Sequence, residues 1–275
     1  MTATRLRSRA VERIWGRRDL AGPFAPPADA ADLPIGEIWF EDGADARGEL
    51  LVKYLFTTER LSIQVHPDDG AARARGHPRG KDEAWHVLCA EPGAVIGLGL
   101  TREVSSEELR RAALDGSIER LLDWRPVRAG ETFYSPAGTV HAIGAGLSLI
   151  EIQQNLDLTY RLYDYGRPRE LHLDDAVAVA VPRPWSPSFA PRDIAPGRTI
   201  LAAGGAFVLE RWTAGGEVIG EAMIMPIASG GAIGGEALEA GTVWRVDGRT
   251  AIAAGDVLAA YQGGEVRAEA LTISS

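Results

Sequence analysis

The 275-residue sequence predicts a mostly β protein with a few helices and a smaller second β lobe at its end. Three observations carry this. Short runs of β-branched and aromatic residues recur between turns marked by glycine and proline. A central stretch, Gly130 to His141, reads Gly-x5-Pro-x-Gly-x2-His, which describes a strand, a tight turn and a second strand. Residues 198–275 read as further short strands separated by glycine.

In chain order, residues 1–34 look irregular, with a Pro/Ala-rich surface loop around GPFAPPADAADLP. Strands are expected at Ile35 to Phe40, Leu50 to Phe56, Leu61 to Val65, Glu83 to Cys89 and Leu147 to Gln153. Asp68 or Asp69 caps a short helix through residues 71–75. Ser105 followed by Glu108 forms a capping box for a helix that places Leu109, Ala112 and Ala113 on one side. Asp115-Gly116 ends it, and Ile118, Leu121 and Leu122 form another turn or two. Asp174-Asp175 is expected to cap a last helix through Val181, stopped by Pro182 and Pro184. The proline-rich stretch from Pro182 to Pro196 is the expected linker. It divides the chain into a larger unit, 1–185, with a helical insert and all the histidines, and a lobe, 186–275, that lacks histidine and cysteine.

The net charge of −9 argues against a nucleic-acid partner, which favours a basic surface. An acidic protein that binds an anion needs a local basic cluster. The single Cys89 excludes an intrachain disulfide and a thiolate-rich zinc site. No apolar leader or membrane-spanning run is legible, so a reducing cytoplasm is expected.

Chemistry concentrates on a few positions. Gln64 and His66 are two apart on one strand and share a face. Glu83 begins the next long strand, and His141 follows the central turn. Two imidazoles, a carboxylate and an amide oxygen suit a divalent metal with an open position. Zinc fits such ligands, and so does non-haem iron. Lys53 and Ser62 fall at the ends of two strands read as adjacent, Lys81 shares a face with Glu83, and Arg161 lies on a Tyr-Arg-Leu-Tyr-Asp-Tyr run. Convergence of these groups on a metal would hold a phosphate or a phosphorylated sugar.

The Gly130–His141 pattern resembles the second motif of the cupin fold, a double-stranded β-helix or jelly-roll barrel, with Ala145 where that motif ends in Asn. More specifically, Leu61-Ser-Ile-Gln-Val-His-Pro-Asp-Asp69, Gly80-Lys-Asp-Glu-Ala-Trp85, Pro136-Ala-Gly-Thr-Val-His-Ala142 and Glu151-Ile-Gln-Gln-Asn with Tyr160-Arg-Leu-Tyr-Asp-Tyr-Gly-Arg167 resemble the type I mannose-6-phosphate isomerases in their short bacterial form. Ile14-Trp-Gly16 and Ile35-Gly-Glu-Ile-Trp39 extend the likeness over about residues 11–180. The resemblance implies a cupin barrel with a second, cupin-like β lobe. It implies one zinc (Zn2+) per chain on Gln64, His66, Glu83 and His141, although another divalent metal would also fit. It places catalysis on Arg161 and Lys81 and substrate or phosphate binding on Lys53 and Ser62, with Glu151 a weaker transfer.

The implied reaction interconverts mannose 6-phosphate and fructose 6-phosphate through an enediol, with no base identifiable. Lys81 would move a proton only with a depressed pKa. Ile38 stands where the family has Ser, and His86 where it often has Tyr. On an unbroken strand His86 faces away from Glu83, as a surface or inter-lobe residue, while His77 and His172 look unremarkable. Rival readings are a non-catalytic sugar-phosphate-binding cupin, an isomerase of a different sugar, and an iron-dependent oxygenase. The partner expected is a small sugar phosphate, with no nucleic acid and no membrane. The sequence does not speak to oligomeric state.

Overall fold

The computed structural model describes residues 2–25, 32–41 and 48–267. Part of the expected Pro/Ala-rich loop, residues 26–31, lies outside them. The first half contains β1 (Thr2–Arg5), β2 (Arg7–Arg17), β3 (Ile35–Glu41), β4 (Leu50–Thr57), β5 (Ile63–Val65), α1 (Asp69–Arg73), β6 (Glu83–Ala90) and β7 (Val95–Leu100). Then come α2 (Ser106–Asp115), α3 (Ile118–Leu121), β8 (Leu122–Pro126), β9 (Thr132–Ser135), β10 (His141–Ile143), β11 (Leu147–Gln154), β12 (Tyr160–Tyr163) and α4 (Leu173–Val179). The remainder is β13 (Arg192–Ala195), β14 (Arg198–Ala203), β15 (Phe207–Trp212), β16 (Gly216–Ile219), β17 (Ala222–Pro226), β18 (Ala232–Ile233), β19 (Glu236–Ala237), β20 (Trp244–Asp247), β21 (Arg249–Ala253) and β22 (Val257–Gln262).

These strands make four antiparallel sheets, ordered β2-β3-β4-β11-β6-β9, β12-β5-β10-β7-β8, β1-β20-β17-β22-β15-β14-β13 and β16-β21-β18-β19. Alternation explains how they stack. On β4, Val52, Tyr54 and Phe56 join Phe207, Leu209 and Leu258 of the β13–β22 region in one core. Leu55 faces the other way, packing with Trp85, Ile96, Leu98 and Leu149 between the first two sheets. Every residue of β4 is buried, because both faces of its sheet are covered. Ile63, Val65, Ala142 and Leu162 pack outward against Leu109, Ala112 and Ala113 of α2. The mostly β, cupin-like architecture with a few helices is thus as the sequence predicts. Among the described residues no helix is long and apolar enough to cross a membrane.

Local chemistry accounts for the helix ends. The Asp68 side chain accepts from Ala71 N and Ser105 from Glu108 N. The capping box is half made, since the Glu108 carboxylate turns to Arg102 instead. Three expectations need correction. Within the stretch expected to be irregular, residues 2–17 are two strands: β1 pairs with β20 and β2 with β3. Both are edge strands, β1 short and polar and β2 carrying four arginines, so they lack the apolar alternation that marks an inner strand. The last helix starts after His172, which makes no side-chain capping bond, and ends at Val179, with Asp174 and Asp175 in its first turn, where carboxylates favour the positive end of the helix dipole. Lys53 and Ser62 do not lie at the ends of adjacent strands, because β4 and β5 belong to opposing sheets.

The proline-rich stretch is bonded back to the barrel. Leu100 N donates to Arg183 O, Val104 N to Pro182 O, and the Trp185 indole to Tyr134 O.

Candidate metal centre

The site lies between the β2–β9 and β5–β12 sheets. On one side, Gln64 of β5 pairs with His141 of β10 and with Arg161 of β12, so the three form a row across the strands. On the other, Glu151 of β11 pairs with Lys53 of β4, and Gln153 with Glu83 of β6. Lys81 and Glu83 share a face, with Lys81 Nζ 3.0 Å from Glu83 Oε1. Asp82 between them points the opposite way, accepting from the Tyr134 hydroxyl at 2.5 Å and from Ala137 N at 2.8 Å. It thereby ties the Glu83 strand to the turn that delivers His141. Gly138 in that turn has φ +83°, and a Cβ there would meet Val181 at 2.8 Å.

His66, Glu83 and His141 are 2%, 1% and 1% exposed. Their ligand atoms all lie within 4.8 Å of one another. His66 Nε2 is 3.2 Å from Glu83 Oε1 and His141 Nε2 is 3.4 Å from Glu83 Oε2. Yet both His66 nitrogens and both Glu83 oxygens lack a hydrogen-bond partner. His141 Nδ1 sits 2.9 Å from Thr139 O, and since a carbonyl only accepts, Nδ1 carries the proton. Its Nε2 lone pair therefore faces the Glu83 carboxylate. Buried lone pairs converging in this way repel one another unless a cation lies among them, so the donor set fits a divalent metal.

Charge effects agree. Burial drives His66 down to about 3, with Lys81 adding to the fall and Glu83 opposing it. His141 is lowered too, chiefly by burial. Both rings are neutral, as metal ligation requires. Burial disfavours the Glu83 charge, but Lys81 and His66 hold it well below the usual carboxylate range. Burial likewise disfavours the Lys81 ammonium, but Glu83 and then Glu151 outweigh it and raise Lys81. The depressed pKa that proton abstraction by Lys81 requires is thus not what these neighbours favour.

The fourth expected ligand, Gln64, lies beside the cluster with Nε2 3.3 Å from His141 Nε2. Its Oε1 accepts from the Ser62 hydroxyl at 3.2 Å. Half a turn of the amide exchanges the two atoms and brings the oxygen to the cluster.

A cavity of about 420 Å³ opens beside the cluster, walled by Lys53, Ser62, Gln64, Lys81, Glu83 and Arg161. Every predicted site residue is therefore brought to one place. Lys53 is saturated there: Nζ donates to Gln153 Oε1 at 2.6 Å, lies 3.3 Å from Glu151 Oε1, and sits over the Trp39 ring at 4.4 Å. Glu151 also accepts from Trp85 Nε1 at 3.1 Å. Burial, then the Glu83 charge, raise the Glu151 carboxyl against Lys53 and Lys81. His86 faces away from the site, buried beside Thr132 at 2.9 Å and toward Arg211 and Asp256. It is the inter-lobe residue of the two options the sequence left open. Sequence reasoning missed Asp82, Arg13 and Arg169. Asp82 was legible in part, as the outward residue between two inward ones. Arg13 is one of several N-terminal arginines, and Arg169 falls in a loop without periodicity.

The fold and the buried His-Glu-His cluster define a cupin-type β protein with a candidate metal centre. No family model matches the chain. It is 38% identical over 201 residues, 68% of its length, to the mannose-6-phosphate isomerase of Streptococcus mutans, and that match spans 63% of the relative. The mannose 6-phosphate isomerase of Bacillus subtilis superposes with a TM-score of 0.80 and 26% identity, covering 94% of this chain and 99% of that one. A zinc-bound mannose 6-phosphate isomerase shares the fold, with a TM-score of 0.73, 14% identity, and 96% and 100% covered. The chain belongs to the mannose-6-phosphate isomerase family.

Proposed function

We propose that this protein is a zinc-dependent aldose–ketose isomerase that interconverts mannose 6-phosphate and fructose 6-phosphate. The observation that carries the reading is the convergence of the buried His66, Glu83 and His141 ligand atoms, those of His66 and Glu83 without hydrogen-bond partners, beside a polar cavity. Zinc would be held by these three and by Gln64 after its amide turns. When bound, it supplies Lewis-acid polarisation of the substrate oxygens at C1 and C2.

The protein's own groups do the rest. Glu151 lines the cavity with its carboxyl raised toward neutrality by burial and Glu83, which suits a group that takes a proton from C2 and returns it at C1. Lys53, placed on the phosphate by the family resemblance, is engaged by Glu151 and Gln153, and we assign it to orienting Glu151. Lys81 remains a cation and stabilises negative charge on the enediol oxygens. Arg161 adds charge from the opposite wall, and Ser62 contacts the phosphorylated end. Residues 1–185 are the catalytic unit and 186–275 a lobe without metal, with β1 lent to the lobe's sheet. We place the protein in the cytoplasm, in keeping with one free, exposed Cys89.

Turnover of mannose 6-phosphate by metal-stripped protein tests the reading. Activity should return with zinc and be absent in His141→Ala. A zinc-loaded protein without turnover would refute it, and oxygen uptake with iron would favour the oxygenase.

A further inference from the structure

Strand β2 breaks its register with β3 twice, between Val11 and Glu12 and again between Glu12 and Arg17. Glu12 and Arg17 both pair with Ile35, so residues 13–16 leave the ladder as a bulge. Trp15 anchors the bulge, buried with Leu55, Leu61 and Trp85. Gly36 lies beneath it: a Cβ there would come within 2.5 Å of Arg13 Cβ and 2.7 Å of Trp15 Cζ3. The bulge thus turns Arg13 onto the wall of the cavity. Its guanidinium bonds Glu37 Oε2 at 2.7 Å, and Glu37 is fixed in turn by Trp39 Nε1 at 2.7 Å. Arg13 Nη1 also donates to Glu12 O at 3.2 Å, and with the side chain 32% exposed other N–H groups of the fork are left over.

Arg161 and Arg169 line the same cavity from β12 and the loop after it. Arg161 Nε is buried without a partner. Burial, Arg169 and Arg13 all lower its pKa, with Asp164 opposing. Arg169 is held by Asp164 at 2.6 and 2.7 Å. Guanidinium groups from the edge strands of two opposing sheets, and from the loop after one of them, therefore converge on one space, and the buried Arg161 Nε there is left unanswered. Such a space suits a multiply charged anion.

We propose that Arg13, presented by the β2 bulge, is a cation of an anion subsite facing Arg161 and Arg169, and that it grips the phosphate of the substrate. The sugar-phosphate identity rests on the function proposed above, whereas the anion subsite rests on the cavity alone.

The test uses zinc-loaded protein and two probes, inorganic phosphate by calorimetry and mannose 6-phosphate by turnover. Arg13→Ala strands the buried Glu37, so Arg13→Ala/Glu37→Gln is measured beside it, and Arg13→Lys asks whether the fork matters. Both alanine variants should bind phosphate at least about tenfold more weakly and raise KM by a similar factor, with kcat within about threefold. Arg13→Lys should recover part of the loss. Phosphate affinity within about twofold of wild type in the folded double variant would overturn the subsite, as would no phosphate binding by the wild type. Loss of phosphate binding in a protein that never isomerises mannose 6-phosphate would support the subsite and sink the isomerase reading alone.

Discussion

Glu83 and Glu210 are both sealed between packed sheets, at 1% and 0% exposure, and their surroundings differ in kind. Glu210 is fully answered by the protein. Arg198 forks onto it, Trp212 Nε1 donates at 2.8 Å, and the Tyr261 hydroxyl donates as well. Glu83 has one ammonium, Lys81, and two imidazoles whose nitrogens make no hydrogen bond to it. Burial of a carboxylate is costly in either place. In the β13–β22 region the cost is offset by internal partners, so the ion pair is structural. In the barrel only Lys81 answers Glu83, and the converging His66, Glu83 and His141 atoms leave a candidate cation site.

Substitutions at the two glutamates should separate these roles. The largest effect is on catalysis: Glu83→Gln should lower mannose 6-phosphate turnover by at least about a thousandfold while the metal-free protein stays folded by circular dichroism. Glu210→Ala should do the reverse. It strands Arg198 and should cost about 3–5 kcal/mol in urea unfolding, with zinc content per folded molecule unchanged.

A third measurement sharpens the comparison at the seam between the regions. Burial, helped by Arg211, lowers His86 to about 4 against Asp256. In the unfolded chain it titrates near 6.5. As pH falls the unfolded state takes the proton first, so the His86 contribution is complete above pH about 6.5. It declines below that and is lost by pH about 4, a change of about 3 kcal/mol. Urea midpoints of metal-free protein across this window should show the decline, and His86→Asn should make it shallower by that share, leaving the part due to buried His66 and His141. The smallest effect is expected at Asp82. Asp82→Ala frees the turn that carries His141 and should weaken zinc by about 10–100-fold in chelator competition, with the ligands intact.

Much of the centre was legible because strand alternation is strict. Gln64 with His66, and Lys81 with Glu83, could be assigned to shared faces from spacing alone, and the Pro136-x-Gly138 turn located His141. What was not legible depends on long-range partners. Nothing near Lys53 in the sequence announces Gln153 and Glu151, a hundred residues away, as the groups that occupy it. The edge strands carry threonine (β1) and arginine (β2) where inner strands carry valine or leucine, so their pairing left no apolar trace. The bulge that aims Arg13 appears only as two residues sharing one partner on β3. The glycine at 36 that admits it looks like any other strand glycine.

The most direct measurement is zinc stoichiometry by equilibrium dialysis on wild type and Glu83→Gln, each checked for folding. One zinc per wild-type chain, and none on folded Glu83→Gln, is the predicted result. Zinc retained by Glu83→Gln at wild-type affinity would contradict the assignment of His66, Glu83 and His141 as the metal centre.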